Sequence, residues 1–208
     1  MSDENRNLQN TLRITNVVNY VNISFVFNQS RTDTILQIPG SEMIKPQVED
    51  PVYDRTVNGR KYYNVLYEWK NDDVSIPLLV PNINSSYDAV YKEFDIPNSQ
   101  TIINYNEYGN QIMSPAFFLN SDSPLYFKGS TVENGITKDV YINSVCSLNA
   151  NEKYSHHLDF IISNVDLGAG EQKTYSVNLK IYKDIVKSKY LGKITLSVKV
   201  VSTAGPGE

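Results

Sequence analysis

The segment Leu167–Val200, LGAGEQKTYSVNLKIYKDIVKSKYLGKITLSVKV, contains two runs in which apolar and polar residues alternate. A period of two places all the apolar side chains of a strand on one face. Gly170 precedes the first run and Gly192 the second, as expected for turns. We therefore predict two half-buried antiparallel strands that close a β-sandwich, with these inward-facing residues: Tyr175, Val177, Leu179, Ile181, Ile194, Leu196, Val198 and Val200.

The composition is that of a globular β protein. The chain has 208 residues, of which 40% are hydrophobic and 20% charged, enough for one large or two small β domains. Fifteen tyrosines against one tryptophan favour half-exposed strands. The net charge is -4 and the basic residues are scattered, which argues against duplex nucleic acid as the main partner.

Three features bear on the cellular compartment. The single cysteine, Cys146, cannot form an internal disulfide and fits a reducing compartment. The first ten residues are polar, so we predict no signal peptide. No apolar run approaches the roughly 18 residues that a membrane-spanning helix needs. We expect a protein made in the cytoplasm of a cell, with no membrane partner.

Two Asn-Gly pairs predict β-hairpins in the remainder of the chain. Asn58-Gly59 lies between two β-like runs, and Asn134-Gly135 does the same further along. In the strand after the first turn, alternation predicts that the four residues Tyr63, Val65, Tyr67 and Trp69 share one face.

The predicted fold class is all-β, an antiparallel β-sandwich in two halves with one short helix. The helix is expected over Ser86–Phe94, where Ser86 can cap it and Tyr87, Val90, Tyr91 and Phe94 follow helical spacing. The domain prediction is a flexible arm over 1–10, a β domain over 11–119 with an irregular 81–115 segment, and a C-terminal sandwich over 120–208 with a frayed tail.

No motif for catalysis, cofactor binding or metal binding occurs in the sequence. His156 and His157 are adjacent, so on a strand they face opposite sides and make a poor metal pair. Cys146 lies in an apolar run, which predicts a buried structural thiol. We predict no catalytic, cofactor-binding or metal-binding residues, and a protein that is not an enzyme.

The tyrosine-rich stretches allow two interpretations. Tyrosine is enriched at protein interfaces, but it also stabilises cross-strand pairs on ordinary sheet surfaces. Long and weakly patterned segments such as 81–115 are usually functional or disordered. The hypothesis carried forward is therefore a contact surface that includes Tyr87, Tyr91, Tyr105 and Tyr108.

The C-terminal segment resembles a module of the wider immunoglobulin-like group. The resemblance lies in Leu167-Gly-Ala-Gly-Glu171, the alternating run after it and the Gly192-led last strand, and it covers roughly the last 45 residues. The Cys-Trp-Cys set of antibody domains is absent. Modules of this kind resemble virion proteins of tailed phages, and the Asn/Tyr/Ile/Lys-rich style is similar to that of the crAss-like group.

This resemblance implies a structural virion protein: a capsid decoration, head-fibre, tail or connector component. Its partners would be other virion subunits in a symmetric assembly formed in the host cytoplasm, without nucleic acid. Two alternatives stay open. One is a carbohydrate-binding or adhesin module with exposed tyrosines and Trp69 as its platform, and the other is a parasporal toxin-like β protein.

Overall fold

A computed structural model describes residues 18–98, 101–105, 111–113, 117–163, 165 and 167–202. These residues form fourteen strands and contain no helix. The strands are β1 (Val21–Asn28), β2 (Arg31–Gln37), β3 (Val52–Val57), β4 (Arg60–Asn71), β5 (Val74–Ser75), β6 (Ser85–Pro97), β7 (Thr101–Tyr105), β8 (Gln111–Met113), β9 (Phe117–Ser121), β10 (Tyr126–Glu133), β11 (Ile136–Leu148), β12 (Tyr154–Ile162), β13 (Gln172–Tyr182) and β14 (Tyr190–Ser202).

All fourteen strands belong to one mixed sheet. The order along its main path is β2-β1-β6-β9-β12-β11-β10-β13-β14-β7-β8, while β4 pairs with β3, β5 and β6 off this path. Most pairs are antiparallel, but β1 with β6 and β14 with β7 are parallel. The all-β prediction is confirmed, and the sheet is mixed where antiparallel pairing alone was predicted.

The two strands that the sequence pattern predicted most strongly, β13 and β14, pair antiparallel along almost their whole length. The alternating apolar residues of both strands are buried, with exposures between 0% at Val177 and 8% at Leu196. The predicted register is therefore confirmed, because a shift by one residue would have exposed all of them.

Both predicted Asn-Gly hairpin turns are present. Asn58 and Gly59 have φ values of 49° and 72°, and Asn134 and Gly135 have 51° and 77°. Positive φ at both central residues is the requirement of the two-residue turn that matches strand twist. The turns join β3 to β4 and β10 to β11.

The buried side chains form two separate cores. The large core contains Val65, Phe94 and Ile96 of β4 and β6, together with side chains of β9 to β14 and Leu125. The small core is built around β1, with Trp69 and Tyr87 among its members. The large core thus draws on residues from both sides of position 120, and β9 crosses that position. The division into two domains there stays a prediction.

The predicted helix over Ser86–Phe94 is wrong, because these residues lie in strand β6. Tyr87 faces the small core, whereas Phe94 and Ile96, at even positions, face the large core on the other side of the strand. Along a strand with one buried face, apolar residues are separated by even numbers of positions. Where the buried face changes from odd to even positions, a spacing of three appears beside spacings of two and four. That spacing imitates the periodicity of a helix.

A β-bulge makes the same change of face in β4. Leu66 pairs with Tyr91 and Glu68 with Val90, so Tyr67 is the extra residue. Val65 faces the large core, and Trp69, three register pairs later, faces the small one. The prediction that Trp69 shares the face of Tyr63, Val65 and Tyr67 is therefore wrong.

The other segment predictions have mixed outcomes. The described part of 81–115 contains β6, β7 and β8, so it is more regular than its weak pattern indicated. The predicted arm over 1–10 lies outside the described residues, as do residues 203–208 of the predicted frayed tail.

Candidate functional site

The four tyrosines predicted to form a contact surface have different positions. Tyr87 is 6% exposed and packs in the small core, with its ring centroid 6.4 Å from that of Phe25. Tyr91 is 40% exposed. Tyr105 ends β7, where it pairs with Ser202, and Tyr108 lies outside the described residues. Of the two side chains in this set whose exposure is described, that of Tyr91 is the one that can meet a partner.

A charged cavity of about 470 Å³ lies between β2 and the segment 46–49, and the charges of Glu49 and Arg31 in its lining act on Tyr91. Arg31 lines this cavity and forms ion pairs with Asp33, at 3.0 Å, and with Glu49. Partial burial and the negative charge of Glu49 raise the pKa of the Tyr91 hydroxyl, so it stays neutral and can donate a hydrogen bond at physiological pH.

An exposed apolar surface lies on the outer face of β9, β12 and β11. We call Phe118, His157 and Val145 the outer row, because they are register partners on three adjacent strands. Phe118 stacks on the His157 ring at 5.0 Å between centroids. Phe118 is 48% exposed and Val145 60%, and Tyr141 on the same face of β11 is 64% exposed.

Sequence analysis did not identify the outer row, although one signal was available. Phe117, Phe118 and Leu119 are consecutive apolar residues, so β9 must present apolar side chains on both faces. Phe117 and Leu119 face the large core, which leaves Phe118 outside. An apolar side chain that is left outside a well-filled core is a candidate contact residue.

Trp69, proposed as part of a carbohydrate platform, is 6% exposed. Its ring packs edge-on against Phe25 at 5.0 Å and Phe27 at 4.9 Å between centroids. A platform for a sugar needs an open aromatic face, which Trp69 does not present.

The topology also brings the lone cysteine opposite a histidine. Cys146 and His156 are register partners on β11 and β12, and their Sγ and Nε2 atoms are 3.9 Å apart. His156 is fully buried, and His157 projects from the opposite face, as predicted. Cys146 is exposed, so the prediction of a buried thiol is wrong. The second half of β11 extends past the large core, which leaves its inward face uncovered.

Hydrogen bonding fixes the tautomer of His156. The Ser121 hydroxyl donates its one hydrogen to the carbonyl oxygen of Ser123 at 2.6 Å. The 3.0 Å contact between Ser121 Oγ and His156 Nε2 therefore requires the hydrogen to be on Nε2. Nδ1 is buried and has no hydrogen-bond partner among the described residues. Burial lowers the pKa of His156 to about 4, so the ring is neutral at physiological pH.

This arrangement does not activate the thiol. A general base must present a free nitrogen to the proton that it removes, but the His156 nitrogen nearest Cys146 already carries a hydrogen. Partial desolvation also raises the pKa of the Cys146 thiol, which opposes formation of the nucleophilic thiolate. The described residues contain no group of three or more histidine, cysteine or acidic side chains placed to hold a metal ion.

Acidification should destabilise the protein through His156. The unfolded chain takes up this proton near pH 6.5 and the folded chain only near pH 4, so lowering the pH across that window favours unfolding. The loss is on the order of 3 kcal/mol across the window. We expect His156→Gln to reduce the dependence of the unfolding free energy on pH, measured by denaturant titration at several pH values.

His157→Gln is the matched control for this measurement. It removes the neighbouring histidine on the exposed face and leaves His156 in place, so the part of the slope that His156 contributes between pH 4 and 6.5 should remain. Equal slopes in the wild-type and His156→Gln proteins would show that His156 does not titrate in this way.

Comparisons with known proteins give no relative. No protein-family model, curated protein or solved structure matches the chain. Among the described residues, no helix is long and apolar enough to span a membrane. The functional argument therefore depends on the surfaces of the chain itself.

Proposed function

We propose that the chain is a structural virion protein that acts through repeated protein–protein contacts in a symmetric assembly, and not an enzyme. The observation that supports this best is the outer row, with Phe118 48% and Val145 60% exposed on adjacent positions of one sheet face. Exposed apolar patches on soluble proteins mark interaction sites, because their removal from water stabilises a complex.

The finer parts of the proposal come from the sequence resemblance. The C-terminal half is an immunoglobulin-like antiparallel module, and the particle is a tailed phage in which the chain serves as a decoration, head-fibre, tail or connector component. The long pairing of β13 with β14 and its fully alternating burial support a sandwich-like half. The assembly site is the host cytoplasm.

Incorporation into particles tests the proposal. Phe118→Glu places a charge in the outer row, and we expect its incorporation to fall at least tenfold because an unpaired charge at a contact is costly to desolvate. Quantitative mass spectrometry of particles purified from cells that express tagged wild-type and variant chains measures this ratio. Far-UV circular dichroism of the purified variant checks its fold.

Thr174→Glu is the matched control. It introduces the same charge at an exposed position of β13, away from the outer row. We expect normal incorporation of this variant. The proposed role is excluded if the wild-type chain is absent from purified particles, and the role of the outer row is excluded if both variants are incorporated equally.

A further inference from the structure

A basic pocket of about 380 Å³ lies where four distant segments of the chain meet. One wall is the loop around Lys45–Val48, and a second is the end of β4 from Leu66 to Trp69. The segment that follows β5 and the turn between β13 and β14 complete it. The pocket shares no residue with the outer row, so an inference about it stands apart from the proposed assembly role.

The pocket holds more positive than negative charge. Lys45, Lys183 and Lys189 line it, and Glu68 is the one carboxylate among its lining residues. Glu68 is already engaged, because its oxygens lie 2.9 Å from Lys183 and 3.3 Å from Lys70. These ion pairs outweigh the effect of partial burial and lower the pKa of Glu68, so it is ionised at physiological pH.

Two of the three ammonium groups lack a counter-charge among the residues that the structure describes. Lys183 pairs with Glu68 and also lies 4.0 Å from the centre of the Tyr67 ring. Lys45 and Lys189 form no ion pair with any described residue. Desolvation by the surrounding protein, and then the charges of Lys189 and Lys183, lower the pKa of Lys45. An anion placed among these groups would relieve that repulsion.

The remaining walls are largely apolar. Leu66, Ile76, Leu78 and Leu191 line the pocket together with Trp69, and Leu78 is 82% exposed. An inorganic anion would leave this apolar surface in contact with water. A ligand that carries an apolar group beside its charge would cover it, at about 25 cal/mol per Å² of apolar surface removed from water.

We propose that this pocket binds a carboxylate group carried on an apolar moiety, with the carboxylate among the three lysines and the apolar part against Leu66, Ile76 and Leu78. Two sources share this chemistry. One is a small amphiphilic carboxylate, and the other is an acidic residue flanked by apolar residues in a partner protein. Such pockets fix orientation with a few polar groups and supply most of the contact area from apolar side chains.

Titration of the purified chain with hexanoate tests the proposal. The chain has a single tryptophan and it lines the pocket, so its fluorescence reports binding directly. Amide chemical shifts of Lys189–Leu191 provide a second signal from the opposite wall. We expect saturable binding of hexanoate and none of hexylamine, whose apolar chain is one methylene longer and whose charge is opposite.

A short peptide, acetyl-Leu-Glu-Leu-amide, distinguishes the two sources. Binding of hexanoate alone identifies a small-molecule site, and tighter binding of the peptide identifies a protein partner; either result supports the pocket. Sulfate is the control ligand without an apolar part. It should bind at least tenfold more weakly than hexanoate, because it leaves the apolar wall of the pocket exposed to water.

Lys45→Met is the decisive variant, because it removes a charge that has no partner among the described residues and keeps an unbranched side chain only one atom shorter. We expect its affinity for hexanoate to fall at least tenfold. Lys199→Met, on β14 outside the pocket, is the control and should bind like the wild-type chain. The proposal is overturned if hexanoate and peptide both fail to bind, if hexylamine binds equally, or if Lys45→Met is unaffected.

Discussion

Replacing Leu179 by Ala should lower the free energy of unfolding by about 2–5 kcal/mol. Leu179 is fully buried at the centre of β13, where it pairs with Ile194 of β14 on one side and with Gly129 of β10 on the other. The truncation removes buried apolar contacts and leaves a cavity between strands that are held on both sides, so little collapse can compensate for it.

Lys180→Ala is the control at the next position. Its side chain is on the exposed face of the same strand, so its loss should change the free energy of unfolding by about 0.5 kcal/mol or less. Urea denaturation followed by circular dichroism measures both variants. If Leu179→Ala unfolds at the same urea concentration as the wild-type protein, the large core is not the main source of stability.

The elements that could be predicted from the sequence are those whose structure is determined by residues close together in the chain. The Asn58-Gly59 and Asn134-Gly135 turns need positive φ at two consecutive residues, a requirement that this dipeptide meets wherever it occurs. β13 and β14 present apolar residues to one core along their full length, so their period of two is uninterrupted. In both cases the physical cause lies within a few residues of the pattern.

Prediction failed where one strand serves two cores. The odd residue Tyr87 and the even residue Phe94 of β6 are buried on opposite sides, and nothing within 86–94 indicates that a second core exists. The bulge at Tyr67 has the same effect on β4. Cys146 was predicted to be buried for a related reason, because an apolar run does not show where the sheet that covers it ends.

The basic pocket could not have been predicted from the sequence at all. Lys45 lies in a loop after β2, and Lys183 and Lys189 lie in the turn between β13 and β14, so their proximity depends on the tertiary structure. The same holds for His156 and Cys146, which only the pairing of β12 with β11 brings together. A sequence pattern records the neighbours of a residue along the chain and not those across the sheet.

A single glycine, Gly192, allows the segment 49–51 to lie close against β14, directly after the pocket wall formed by Lys45–Val48. Gly192 has a φ of +108°, which side chains with a Cβ rarely adopt. A Cβ atom at this position would lie 2.8 Å from both the carbonyl oxygen of Glu49 and Cδ of Pro51. The adjacent amide of Lys193 donates a hydrogen bond to Asp50 Oδ1 at 3.0 Å, which holds the two segments together.

Gly192→Ala should therefore destabilise the protein by roughly 2–6 kcal/mol, the sum of backbone strain and overpacking. Gly170→Ala separates the two effects, because Gly170 also has a positive φ, +75°, but a Cβ atom there would have no neighbouring atom within 4 Å. That control should lose about 1–2 kcal/mol.

Hydrogen exchange at the Lys193 amide shows how the strain is relieved. If the 49–51 segment moves away from β14, this amide loses its acceptor and exchanges faster, even where global stability falls less than expected. Lys45–Val48, which directly precedes the 49–51 segment in the chain, forms one wall of the pocket. The same movement should therefore open the pocket and weaken hexanoate binding. The close approach at Gly192 is contradicted if the Gly192→Ala and Gly170→Ala proteins have the same free energy of unfolding and the Lys193 amide remains protected from exchange.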